Sequence, residues 1–196
     1  MNDPRLEHWL DVLLETPGLT SIGTRAEARR VHVDGSFAAL PALARFDGPI
    51  VDVGSGGGSP GIPLAAALPH REVTLLEANG RKAAFLERVT ADFPNIRVLR
   101  GRAEEQPTDE YGAAVARALA PPPVAAEWCL ALVRPGGGAV LYVGPTAEAE
   151  SVRVVAQRLG GGVPETAAGT IVIPKLSPTP PGFPRRPGIA RKRPLT

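Results

Sequence analysis

The segment Val51-Asp52-Val53-Gly54-Ser55-Gly56-Gly57-Gly58-Ser59-Pro60-Gly61 constrains the fold of this chain more than any other stretch. An apolar strand runs into four glycines within five residues and leaves as a helix. Residues without Cβ make positive φ cheap and let backbone N–H groups come close to a ligand. A turn of this kind at the carboxyl end of a first strand belongs to open α/β sheets, which bind ligands at that edge. The remaining sequence keeps the alternation. Strands are expected at 50–53, 72–77, 96–100, 113–118, 138–143 and 170–175, with helices near 61–68, 81–91, 122–133 and 147–159. Continuous apolar runs such as Val73-Thr74-Leu75-Leu76 and Ala139-Val140-Leu141-Tyr142-Val143 suit strands covered on both faces. With right-handed crossovers, the pattern predicts a doubly wound α/β sheet.

Before residue 49 the period is helical. Leu6, Trp9, Leu10, Leu13 and Leu14 lie on one face of a helix that Pro17-Gly18 stops. Thr24 followed by Glu27 has capping-box spacing and starts a second helix near Arg25, with Gly35 weakening its middle. We therefore expect a helical appendage over 1–48, a ligand-binding core over 49–176, and a basic, proline-rich segment over 177–196 that completes the same domain. At 43% apolar and 21% charged, 196 residues can bury a core of ordinary size. A single cysteine, Cys129, excludes a disulfide framework and a cysteine-based zinc site, and no metal is expected. The apolar runs are too short to cross a bilayer, and the polar start carries no signal-peptide pattern. A soluble cytoplasmic protein without a membrane partner follows.

Two ligands compete for the glycine turn. Gly56-x-Gly58-x-x-Gly61 fits the dinucleotide fingerprint, which would imply a nicotinamide-dependent oxidoreductase. Asp52-x-Gly54-x-Gly56-x-Gly58 instead fits the first motif of class I methyltransferases, which bind S-adenosyl-L-methionine. Glu77, ending the second strand, could accept ribose hydroxyls of either cofactor and does not discriminate. A tight strand–helix turn without a ligand would need fewer glycines. No Gly-Lys-Ser/Thr follows, so a P-loop nucleotidase is disfavoured.

The net charge of +2 hides an uneven distribution. Residues 174–196 contain Lys175, Arg185, Arg186, Arg191, Lys192 and Arg193 and no acid, which leaves the preceding chain at −4. The same segment holds seven prolines, which lower the entropy lost on ordering its cations. An acidic body with a stiff basic end points to a polyanionic partner.

The motifs in order are similar to those of the RsmG family, also called glucose-inhibited division protein B. They comprise residues 54–64, Leu75-Leu76-Glu77, Gly80-Arg81-Lys82-Ala83-Ala84-Phe85-Leu86, Arg102-Ala103-Glu104-Glu105 and Ala116-Arg117-Ala118. Glu127-Trp128-Cys129-Leu130, Arg134-Pro135-Gly136-Gly137, Phe183-Pro184-Arg185-Arg186-Pro187-Gly188 and Lys192-Arg193-Pro194-Leu195 complete the series. The resemblance implies a class I methyltransferase fold: a Rossmann-like, doubly wound seven-stranded sheet with a short N-terminal helical appendage. It also implies methyl transfer from S-adenosyl-L-methionine to guanine N7 in 16S rRNA, in naked RNA, the small ribosomal subunit or an assembly intermediate, by a monomer. Another methyltransferase substrate is the alternative.

Carried over by position, Asp52, Gly54, Gly56, Gly58 and Ser59 would form the cofactor turn. Glu77 would stand where the family usually has Asp, and Ala103 and Glu104 would meet the adenine. Arg117 would lie at the mouth between cofactor and substrate, positioning rather than acting as a base. Its other reading is a salt bridge to Glu77 or Glu104. Arg185, Arg186, Arg191, Lys192 and Arg193 would contact RNA. Two departures stand out. Only about 18 residues precede Leu19-Thr20-Ser21-Ile22, and Gly35 occupies the family's Asp position, so that Asp34 would have to substitute from another helical angle. His32 reads as a packing or hydrogen-bonding residue and Cys129 as core.

Overall fold

A computed structural model describes residues 3–195; Met1 and Asn2, the start of the polar N-terminus, and Thr196 lie outside the described residues. The first helix, α1 (Pro4–Glu15), starts where the Asp3 side chain accepts the Arg5 N–H at 2.9 Å, and it buries Leu6, Trp9, Leu10 and Leu13. A second helical run begins at α2 (Arg25–Ala28), capped by the Thr24 hydroxyl on the Glu27 N–H. It does not stay α-helical through Gly35. The run widens into a π turn (Arg29–Val33), tightens into a 3₁₀ stretch (Asp34–Ala39), and returns to α3 (Leu40–Leu43). Several carbonyls of the irregular part serve side chains elsewhere: Arg117 donates to Val31, Ser36 and Ser59 to His32, and Tyr142 to Ser36. Such departures from regular hydrogen bonding often mark functional places in helices.

The core alternates as expected: β1 (Ile50–Val53), α4 (Gly61–Ala67), β2 (Val73–Glu77), α5 (Gly80–Val89), β3 (Ile96–Arg100), β4 (Tyr111–Arg117), α6 (Pro122–Leu132) and β5 (Val133–Tyr142). A 3₁₀ turn and α7 (Arg153–Arg158) follow, then β6 (Glu165–Ala167), β7 (Thr170–Pro174) and a short α8 (Ile189–Lys192). The seven strands form one sheet in the order β3-β2-β1-β4-β5-β7-β6. Five are parallel, β7 runs antiparallel to β5, and β6 antiparallel to β7. This is the doubly wound, seven-stranded sheet that the family resemblance implies. Apolar periodicity announces six of its strands; β6 is three exposed residues with no apolar run to mark it. Pro135-Gly136-Gly137 does not precede β5 but bulges out of it, since Tyr111 pairs with Val133 and Ala113 already with Gly138.

Each sheet face carries its own core. One packs α1, α3, α4 and α5 against Ile50, Val73, Leu75, Ala113 and Val115; the other packs α6 and α7 against Val51, Val53, Ala114, Ala139 and Ile171. The N-terminal helices are thus continuous with the first core rather than peripheral to it. On the second face, Phe183, Ala190 and Leu195 tie the C-terminal segment to α6 and its neighbours. No helix among the described residues is long and apolar enough to cross a membrane.

Candidate cofactor pocket and active site

The order reversal of the sheet falls between β1 and β4, and the carboxyl ends of these strands open into the glycine turn. Gly54 (φ 73°), Gly56 (φ 56°) and Gly58 (φ 101°) all adopt positive φ. Their surroundings separate them into two kinds. Gly54 and Gly56 line a cavity, and a Cβ on Gly56 would meet only open space apart from the Gly54 carbonyl at 3.8 Å. Gly58 is buried beneath the turn, where a Cβ would fall 2.4 Å from the Ile62 side chain. Asp52 is likewise not on the cavity wall. It is buried, and its Oδ2 accepts the Gly61 N–H at 3.0 Å, fixing the entry to α4 from below; Oδ1 has no hydrogen-bond partner among the described residues. Burial pushes its carboxyl up to about 7. Of the residues expected at the cofactor, Asp52 and Gly58 therefore shape the turn, and Gly54, Gly56, Ser59, Glu77, Ala103 and Glu104 reach open space.

Two cavities meet over Gly54, Gly56, Lys82 and Ala118. The larger, about 510 Å³, extends past Glu77, Ala103 and Glu104 to Trp128 and Arg191. Glu77 is held there by the N–H groups of Gly56 (2.8 Å) and Asn79 (2.7 Å). The smaller, about 270 Å³, is walled by Leu13, Leu19, His32, Ser59 and Arg117. Its lining includes Lys82 and Arg117 but no acid, so it favours an anion. The larger cavity presents the Glu77 and Glu104 carboxylates beside Lys82, Arg102 and Arg191, which suits the polar groups of a nucleoside, and the smaller presents cations without an acid, which suits a carboxylate or phosphate. The residues present thus fit an adenosyl cofactor with an amino-acid tail.

Arg117 ends β4 on the wall of the smaller cavity. Its Nη1 donates to the Val31 carbonyl at 2.8 Å and to Ser59 Oγ at 3.1 Å, and its guanidinium lies 5.8 Å from the Tyr142 ring centre. The salt bridges to Glu77 or Glu104 expected as its alternative role do not form, because Nη1 is engaged by the Val31 carbonyl of the N-terminal helical run and by Ser59 of the glycine turn. Burial lowers its pKa. Gly35 accounts for the open charge: a Cβ there would sit 3.8 Å from both Arg117 Nη atoms, so an acid at this position would face the guanidinium. Asp34 does not substitute, since it is exposed. His32 pairs with Thr20 Oγ1 at 2.9 Å, a packing role as expected, while burial lowers its pKa; Cys129 is fully buried.

The C-terminal cations do not act as one group. Lys175 is buried, donating to the Leu130 carbonyl and Thr179 Oγ1, both at 2.8 Å. Arg185 does not present itself to RNA. It is engaged by the buried Glu127 carboxylate, with Nε–Oε1 at 2.7 Å and Nη2–Oε2 at 2.5 Å, and also donates to the Arg193 carbonyl. The physical reason is that Glu127, 1% exposed within apolar α6, requires a cation. Arg186, Arg191, Lys192 and Arg193 are all exposed, and Arg191 also lies against the larger cavity.

Two residues on the walls carry weaker signals in the sequence. Lys82, in the first turn of α5, faces both cavities, and its place just after Glu77 is the available signal. Trp128 lines the larger cavity, whereas an aromatic on an apolar helix reads as core.

Comparison with known proteins agrees with this geometry. Residues 4–159 match the family model described as GidB, rRNA small subunit methyltransferase G. Ribosomal RNA small subunit methyltransferase G of Moorella thermoacetica is 38% identical, covering 90% of this chain and 82% of the relative. That of Pelotomaculum thermopropionicum is 34% identical over 97% of this chain and 90% of its own length. Among solved structures, a TehB-like SAM-dependent methyltransferase from Corynebacterium glutamicum shares the fold, with a TM-score of 0.53, 19% identity, and coverage of 72% of this chain and 87% of that one. The T. thermophilus 16S rRNA methyltransferase RsmC, in complex with AdoMet and guanosine, aligns at a TM-score of 0.52 and 18% identity, over 69% of this chain and 37% of its own.

Proposed function

The chain belongs to the rRNA small subunit methyltransferase G family, S-adenosyl-L-methionine-dependent methyltransferases of 16S rRNA, and on that premise we propose that it methylates N7 of a guanine. The carrying observation is the pair of joined cavities, one nucleoside-sized and presenting the Glu77 and Glu104 carboxylates, the other cationic and opening beside Arg117. When bound, the cofactor supplies an electrophilic methyl group on a sulfonium. Guanine N7 offers a lone pair and no proton in the neutral base, so the reaction asks the protein for no general base. The side chains beside the cationic cavity fit that demand: Arg117 is a donor, and His32 is turned to Thr20.

The work left to the protein is alignment and exclusion of water, and holding reactants in line can lower a barrier by roughly 7–11 kcal/mol. Glu77 is positioned to accept ribose hydroxyls, with its carboxylate oriented by two backbone N–H groups. Ala103 and Glu104 face the adenine end, and Gly54, Gly56 and Ser59 face the methionine and ribose side. Lys82 and Arg117 supply the positive wall on which a phosphate of the substrate or the cofactor carboxylate would rest. Exposed Arg186, Lys192 and Arg193 supply RNA contact beyond the pocket. The substrate class supports a cytoplasmic location.

The test is transfer of labelled methyl groups to 16S rRNA, naked and in small subunits, followed by borohydride and aniline cleavage, which cuts at N7-methylguanine. A single cleaved guanine is expected. Labelled protein or small molecules with unlabelled RNA would overturn the reading.

A further inference from the structure

The C-terminal segment is built into the wall of the adenosyl cavity. Three contacts pin it there. Arg185 is held by the buried Glu127, the Gly188 N–H is donated to Glu104 Oε1 at 3.2 Å, and Arg191 Nη2 donates to the Leu119 carbonyl at 3.1 Å. Between these points α8 buries Ala190 against the second core. Arg191 is the one described residue beyond β7 that lines the larger cavity, and its guanidinium lies 5.3 Å from the Trp128 ring centre.

Trp128 and Leu119, the two groups Arg191 touches, are cavity-lining residues themselves. Leu119 in turn abuts the glycine turn: a Cβ on Gly54 would fall 2.3 Å from its Cδ1. The guanidinium is therefore tied to the pocket on two sides. A phosphate ligand needs only a mobile point charge, whereas a planar guanidinium stacked on an indole closes an apolar wall and presents donors along its edge.

We propose that Arg191 is a cofactor-pocket residue, closing the adenosyl side together with Trp128, and that it does not serve as an RNA-phosphate contact like Arg186, Lys192 and Arg193, which line neither cavity. This rests on the S-adenosyl-L-methionine reading of the same cavity. The basic C-terminal segment then has three separate roles, in which Arg185 anchors, Arg191 closes the pocket, and the remaining cations face outward.

The experiment measures S-adenosyl-L-methionine affinity by calorimetry, without RNA, for the native chain and for Arg191→Ala, Arg191→Lys and Arg186→Ala. RNA affinity against salt is then measured at saturating cofactor. Arg191→Ala is expected to weaken cofactor binding about tenfold, a size suited to one lost stacked, hydrogen-bonded cation. Arg191→Lys should not rescue it, since an ammonium keeps the charge and loses the plane. Arg186→Ala should leave cofactor affinity unchanged and lower the salt slope of RNA binding. Arg191 is exposed, and a thermal melt confirms folding of its variants. Full rescue by Lys, or lost RNA affinity with unchanged cofactor affinity, would overturn the assignment to the pocket while leaving the methyltransferase reading intact. A native chain that binds no S-adenosyl-L-methionine would overturn both.

Discussion

Arg117 Nη1 lies 3.1 Å from Ser59 Oγ, joining the end of β4 to the last residue of the glycine turn before Pro60. The same nitrogen reaches the Val31 carbonyl at 2.8 Å, so one side chain binds the N-terminal helical run, the turn and the sheet together. Its hydrogen bonds go to neutral oxygens, and it faces the anion-favouring cavity. The residue is thus both a brace and an open cation.

Replacing Arg117 separates the two roles. Arg117→Ala should lower single-turnover methyl transfer about 100-fold, the scale of a lost positioning contact. Its cost in stability should stay near 1.5–3 kcal/mol, roughly the worth of hydrogen bonds from a charged group. Urea unfolding beside single-turnover kinetics checks this. A rate loss no greater than the unfolded fraction would reduce Arg117 to a brace.

Gly35→Asp should supply the missing carboxylate. Gly35 does not have positive φ, and the added Cβ would stand 3.8 Å from both Arg117 Nη atoms. We expect a raised thermal midpoint and weaker inhibition by inorganic phosphate, because the guanidinium would no longer be open to it. Unchanged phosphate inhibition would mean that the anion is held by Lys82 alone.

Asp52 makes stability depend on pH. Burial holds its carboxyl near 7 in the folded chain against an ordinary value of 3.8, so the folded state keeps a proton that the unfolded state has released. The stabilisation is complete below pH 3.8 and is lost as pH rises toward 7, with a slope of about 1.4 kcal/mol per pH unit inside that window. Asp52→Asn retains an acceptor for the Gly61 N–H and should abolish this component. Urea unfolding of both proteins between pH 4 and 8 would reveal it as a difference that grows with pH.

Arg185→Ala should cost about 3–5 kcal/mol, because it leaves Glu127 charged and buried without a partner. The double variant Arg185→Leu with Glu127→Leu should recover most of that loss. Thermal and urea unfolding of the three proteins test it. An Arg185 that instead served RNA would lower RNA affinity and leave the melt alone.

Much of this architecture is legible in the residues. The apolar runs of β1, β2 and β5 and the glycines after Val53 declare an open sheet and its ligand edge, and Glu77, at the end of β2, lines the cavity there. Individual roles are less accessible, because they depend on which way a side chain points once distant segments meet. Gly54, Gly56 and Gly58 are equivalent in spacing, yet only the first two face the cavity, since Ile62 and Trp9 close in on the third. Arg185 and Arg186 are adjacent and chemically identical. The buried Glu127, 58 residues away, takes one and leaves the other in solvent.

The braces around the pocket also bear on folding order. Trp9 Nε1 donates to the Gly57 carbonyl across 48 residues, Arg117 to Val31 across 86, and Tyr142 to Ser36 across 106. Contacts so distant along the chain carry the largest loop-closure cost and form after local ones have narrowed the search. The cationic cavity is therefore complete only once segments far apart in the chain have met, and detaching the N-terminal helical segment would remove Leu13, Leu19 and His32 from its wall.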